Sequence, residues 1–129
     1  MKITPDWKDS EGKGLEDIGW ALKYEGMISS EGSIEIEIGE KWLIVTGSVQ
    51  SREGIEAGGG IKAGLGIEAG WGIKAGLHIR CKTTLAFSFN LFAGTAVWKK
   101  TTEEDQLVEC LELKGGEVRH GIIKMLKEA

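Results

Sequence analysis

Between Gly54 and Leu77 the chain repeats one six-residue phrase four times: GIEAGG, GIKAGL, GIEAGW and GIKAGL. A repeat this regular constrains the fold before any other argument begins. Nine glycines fall in the window, and each costs a helix about 1 kcal/mol relative to alanine, so a helix is excluded. Collagen is excluded as well, because it needs glycine at every third position with abundant proline, and Pro5 is the only proline here. Strict alternation fits. Leu65, Ile67, Ala69, Trp71, Ile73, Ala75, Leu77, Ile79 and Cys81 are apolar, with Gly, Glu, Lys, Arg and one His between them. In a strand, successive side chains point to opposite faces, so the pattern predicts one wholly apolar face and one of glycine and charge.

Strands usually run about 3 to 10 residues, so a path of this length must fold back or coil. A six-residue period with frequent glycine predicts a solenoid whose strands pair with their equivalents in the next coil. Ile55, Ile61, Ile67, Ile73 and Ile79 then stack as an internal ladder. Leu43 and Val49 upstream, and Leu85, Leu91 and Val97 downstream, keep the same phase, so the expected ladder runs from Leu43 to Val97. Charge bears on coil size, because like charges stacked in a sheet are unfavourable. Coils of twelve residues stack Glu56 on Glu68 and Lys62 on Lys74. Coils of eighteen stack Glu56 on Lys74, though also Lys62 on Arg80, and are mildly preferred.

The expected fold is therefore all-β: a short parallel β-solenoid with about six-residue strands, capped by an irregular N-terminal segment and a C-terminal hairpin or short helix. At 129 residues one domain is expected. Residues 1–32 form an arm and cap, 33–100 the solenoid, and 101–129 a C-terminal cap or dimerisation element. Residues 1–14 read as a polar arm carrying Trp7, and Leu15, Ile18, Ala21 and Leu22 have helical spacing, while a strand around Trp20–Tyr24 is an equal alternative. Thr101 and Glu104 have the spacing of a capping box. LVECLEL, KGGE and VRHGIIKML instead read as a hairpin, which is slightly favoured.

The six-residue aliphatic period resembles that of the hexapeptide left-handed β-helices, and IEIEIGEKWLIVTGSVQSREGIEAGG resembles the bactofilin, or polymer-forming, β-solenoid family. The likeness is one of pattern and covers residues 33–98. Hexapeptide helices place a small residue two positions before the aliphatic one, where this chain has Leu65, Trp71 and Leu77. The phrase is also similar to glycine-rich repeats in small proteins of phages and mobile elements, some of which inhibit bacterial defence systems in the manner of anti-CRISPR proteins.

Composition narrows the function classes. The net charge of -4 disfavours nonspecific nucleic-acid binding, which needs a positive field. No apolar run is long enough to span a bilayer, and the polar N-terminus MKITPDWKDSEGKG is not a secretory signal, so a soluble, cytoplasmic protein is expected. Cys81 occupies the slot held by Ala57, Ala63, Ala69 and Ala75, and so reads as a small buried residue rather than a disulfide partner of Cys110. Neither a metal nor a cofactor site is expected, since Cys81, Cys110, His78 and His120 are scattered.

Hexapeptide acyltransferases use histidine as a general base, and that resemblance nominates His78, which stands where the repeat places glycine. No second polar group is identifiable to orient such a base, so no catalytic residue is assigned and His78 is expected to point outward. Recognition by surface remains. The glycine stripe is expected to be flat and open to another backbone or aromatic surface, and Trp71 to be internal or at a corner. Trp71, His78, Glu103, Glu104 and Asp105 are the candidate protein-binding residues. The favoured expectation is a non-enzymatic binding module, an inhibitor of a host nucleoprotein defence complex, with a homodimer as a further partner. A self-assembling bactofilin-like scaffold is the alternative, and an acyltransferase a distant third.

Overall fold

The computed structural model describes residues 1–96 and 99–126. Each six-residue phrase divides into a three-residue strand and a three-residue bend, not the six-residue strand expected. Isoleucine and alanine point inward from each short strand, Glu or Lys points out between them, and the glycines carry the chain around the bend. The strands before the repeat are β1 (Lys2–Ile3), β2 (Glu16–Asp17), β3 (Ala21–Tyr24), β4 (Ile28–Ser30), β5 (Ile34–Ile36), β6 (Trp42–Val45) and β7 (Val49–Ser51). The repeat then supplies β8 (Ile55–Ala57), β9 (Ile61–Ala63), β10 (Ile67–Ala69), β11 (Ile73–Ala75) and β12 (Ile79–Cys81). After it come β13 (Thr84–Phe92), a 3-10 turn at Glu104–Gln106, β14 (Leu107–Cys110), β15 (Glu112–His120) and β16 (Ile122–Met125). The described residues contain no α-helix, and none long and apolar enough to cross a membrane.

Pairing is parallel, apart from the β2–β3 ribbon and one isolated bridge, and within the repeat it advances by a fixed step. Ile67 lies beside Val49, Ile73 beside Ile55 and Ile79 beside Ile61, each eighteen residues on. The preference read from charge holds: Glu56 is in register with Lys74, and Lys62 with Arg80. Consecutive strands visit three rows in rotation. The first row carries Ile28, Val49, Ile67, Leu85 and Leu113, and the second Ile34, Ile55, Ile73, Leu91 and Val118. The third carries Leu22, Leu43, Ile61, Ile79, Val108 and Ile123. Because β13 and β15 each run through two rows, rows one and two form one nine-stranded sheet beside the seven-stranded third row.

The sheets curl around one apolar core. Within the repeat the ladder isoleucines are at most 2% exposed, and each such burial contributes roughly 1.5–3 kcal/mol. The second inward position of each repeat strand is Ala or Cys, a small residue that leaves the interior width to isoleucine. Cys81 and Cys110 are both free and buried, as Cys81's alanine slot implied, and burial pushes the Cys81 thiol up to about 12.

The ladder starts earlier than its phase reveals. Leu22, Ile28 and Ile34 form a rung twenty-one residues before Leu43, Val49 and Ile55, because the β5–β6 connection around Gly39, at φ 70, inserts three residues. At the far end Val97 and Trp98 lie outside the described residues, and Val108 takes the place beside Ile79. Trp20–Tyr24 resolves as a strand over Ala21–Tyr24, not a helix.

The expected C-terminal hairpin is absent. β14 pairs in parallel with β12, β16 in parallel with β14, and β15 crosses to the other sheet beside β13. KGGE does not reverse the chain. Gly115 and Gly116 sit where β15 passes the Phe87–Phe89 stretch of β13, and a Cβ at either would collide with that strand. A capping-box pattern does occur, one residue beyond the expected pair: Thr102 N–H donates to Asp105 at 3.0 Å, and Asp105 N–H to the Thr102 hydroxyl at 3.3 Å.

Candidate functional site

The glycine positions show what the surface offers. A Cβ at Gly64, Gly70 or Gly76 would run into the carbonyl oxygen of Thr46, Arg52 or Gly58, each eighteen residues earlier. The close approach expected from an outside partner is already made by the neighbouring bend of the same chain. The glycine stripe is therefore not an open flat face, and the repeat needs glycine there so that bends can stack.

Side chains at the middle bend position do reach the surface. Leu65 and Trp71 are exposed, whereas Leu77 is buried, so the apolar face predicted from strict alternation breaks at the bends. Trp71 sits at the corner between β10 and β11. Eighteen residues on, at the same corner, stands Phe89, and its N–H donates to the Trp71 carbonyl at 2.8 Å. Trp71 is 50% and Phe89 62% exposed, so two large aromatics stand in solvent on adjacent bends. Beside them runs a groove of about 350 Å³ lined in part by Glu35, Glu56, Lys74, Asn90 and Phe92.

His78 points outward as expected, but it is covered there rather than exposed. It opens β12 on the line of Trp42 and Gly60, each eighteen residues apart, and the missing side chain at Gly60 lets the Trp42 ring lean across to His78. Their ring centroids are 5.2 Å apart in an edge-on arrangement. On the other side, His78 Nε2 is 3.1 Å from Glu109 Oε1, and Arg80 Nε is 3.5 Å from Glu109 Oε2. The His78 side chain is 12% exposed. The Nε2–Oε1 approach is not aligned as a hydrogen bond, and Nε2 has no other partner among the described residues. Burial lowers the His78 pKa below its ordinary value, opposed by the Glu109 carboxylate and reinforced by Arg80. Arg80 compensates the Glu109 carboxylate, and that ion pair ties β12 to β14. A second polar group beside His78 does exist, contrary to the sequence expectation. Glu109 and Arg80 form the tie between the strands, and His78 packs beside them under Trp42.

The acidic candidates divide. Asp105 is occupied: Thr102 N–H and Lys99 Nζ, at 2.9 Å, hold its carboxyl below the usual range. Glu103 and Glu104 are exposed on the 3-10 turn. The fields of Glu104 and Asp105 reach His78, so these residues belong to one neighbourhood, while Trp71 lies at a corner of the other sheet. Sequence reading missed Glu109, Trp42 and Phe89. The eighteen-residue step would have found two of them, since it links Trp71 to Phe89 and Trp42, through Gly60, to His78. Glu109 carries no such signal, because residues 92–106 break the phase ahead of it.

No protein-family model matches this chain, and neither curated proteins nor solved structures show a match to it. Its function is therefore argued from its own surface.

Proposed function

We propose that this chain is a non-enzymatic protein-binding module built on a three-sided parallel β-solenoid, with each eighteen-residue coil laying one strand in each row. The carrying observation is the Trp71–Phe89 pair, two exposed aromatics on successive bends of one corner beside an open groove. Aromatic residues dominate interface hot spots because they bury large area at little entropic cost. The rest of the repeat surface is Glu and Lys side chains between glycines, with Leu65 exposed at one bend, a rigid mount for that ridge. The expected partner is a protein, and the likeness of the glycine phrase to small phage and mobile-element proteins supports a subunit of a host nucleoprotein defence complex, met in the cytoplasm and inhibited as anti-CRISPR proteins inhibit theirs.

Capture from a bacterial lysate tests this reading. The wild-type chain should retain a specific protein that the Trp71→Ala/Phe89→Ala variant loses while keeping the same circular dichroism. Equal capture by both, or none by either, would sink it.

The scaffold reading, in which solenoids join end to end as in bactofilins, draws support from one observation: among the described residues nothing covers the last rung of the ladder. Its first rung is covered by the chain's own N-terminal arm, which leaves a continuing filament no matching surface.

A further inference from the structure

We propose that two copies of this chain pair through their C-terminal rungs across a two-fold axis, forming a closed dimer. The last inward residues of the three rows are Leu113, Val118 and Ile123. Leu113 and Val118 are only partly buried, and Ile123, though in register with fully buried Val108, is 45% exposed. Ile122 and Met125 flank it in solvent. Among the described residues β16 ends the seven-stranded sheet and β15 pairs with β13 alone, so both present unpaired backbone edges toward the same end. An edge of this kind is a template for another strand.

The sequence of that edge is complementary to itself. β15 bends at Gly115–Gly116, with Leu113 in the first row and Val118 in the second. A two-fold axis in the end plane, through this bend and the middle of β16, lays each β15 antiparallel on its partner. Glu112 then faces the partner's Arg119, Leu113 the partner's Val118, and Lys114 the partner's Glu117. The same axis sets β16 antiparallel to its copy. Two opposite-charge pairs and one apolar pair thus match in a single register, and symmetry doubles each. In the single chain these charges pair only locally, Lys114 with Glu112 at 3.4 Å and Arg119 with Glu117 at 2.8 Å, and all four are more than half exposed. An isologous contact closes at two copies, because each uses up the surface the other offers.

The dimer does not depend on the binding reading, but it extends it. The axis passes through the corner that carries Trp71 and Phe89, so the two ridges become one. The two Phe89 positions fall three strand spacings apart, about 14 Å.

Light scattering and sedimentation of the full chain, without any partner, test the proposal. The mass should approach twice 14.0 kDa with rising concentration and go no higher. Ile123→Lys should give a monomer. Lys114→Glu alone sets like charges against each other twice and should weaken the dimer about tenfold. Adding Glu117→Lys restores opposite charges across the axis and should recover most of the loss. A chain monomeric up to about 1 mM, a mass that grows beyond two copies, or a double variant no tighter than the single one would overturn the proposal.

Discussion

The two ends of the ladder are built from the same kinds of residue and treated oppositely. At the N-terminal end, Leu22, Ile28 and Ile34 are at most 4% exposed. Ile3 pairs in over Ile36, while Trp7 and Leu15 pack on the core and Trp7 meets Tyr24 edge-on at 5.2 Å. Tyr24 in turn donates its hydroxyl to Asp9 at 2.7 Å, and Asp9 also accepts the Glu11 and Lys13 N–H groups. At the C-terminal end, Leu113, Val118 and Ile123 form a rung of equal character with no cover among the described residues. A stack of strands has no intrinsic end, so something outside the repeat must terminate it. Here an irregular polar arm closes one end, and the other has no such cover among the described residues.

The comparison is tested most severely by removing the same aliphatic bulk from each end. Leu22→Ala empties a sealed rung and should cost about 2–4 kcal/mol in urea unfolding. Ile123→Ala removes a half-exposed side chain and should cost under about 1 kcal/mol in dilute, monomeric protein. Equal costs would mean the ends are not different. A smaller effect should follow from Tyr24→Phe, which unties the arm from Asp9 and should cost about 0.5–1.5 kcal/mol, the worth of one hydrogen bond. That loss should appear with faster amide exchange in residues 1–14 and none in β16; uniform change would contradict a local clasp.

The smallest effect is in pH, and it separates the clasps. His78, on the C-terminal side, has a folded pKa depressed by burial, so below about 6.5 the unfolded chain binds a proton the folded chain refuses, and stability falls as pH drops. Asp9, on the N-terminal side, is held below 3.8 by the Tyr24 hydroxyl, so its contribution is present above that value and is lost only as pH falls through the lower folded one. Thermal melting should therefore weaken in two steps on acidification, with His78→Gln abolishing only the upper one. An unchanged upper step in that variant would remove His78 from the argument.

How much of this could be read from the sequence follows from where the period holds. Between Leu43 and Leu91 every inward position obeys a six-residue rule, and the parallel rows and the coil length could be read directly. Three residues around Gly39 hide the first rung by shifting its phase, though Ile34 and Ile36 still alternate as a strand. The C-terminal rows are hidden more deeply, because Val108 is twenty-nine residues past Ile79. LVEC, KGGE and IIKM then look like a hairpin, since local pattern cannot distinguish strands that pair with each other from strands that pair with earlier rows. The exposed aromatics were half visible: Trp71 was found as an interruption of the repeat, while Phe89 has no repeat around it to interrupt. The surroundings of His78 could not be read at all, because they depend on a carboxylate delivered from beyond the break in phase.

Amide hydrogen exchange followed across protein concentration tests the contrast between the ends most directly. In dilute protein, Ile122–Met125 should exchange fast while Leu22–Tyr24 and Ile34–Ile36 stay protected. As concentration rises, protection should appear in β15 and β16 and nowhere else. Strong protection of β16 at every dilution would contradict an uncovered end, and protection gained equally at β1 and β4 would show that both ends associate.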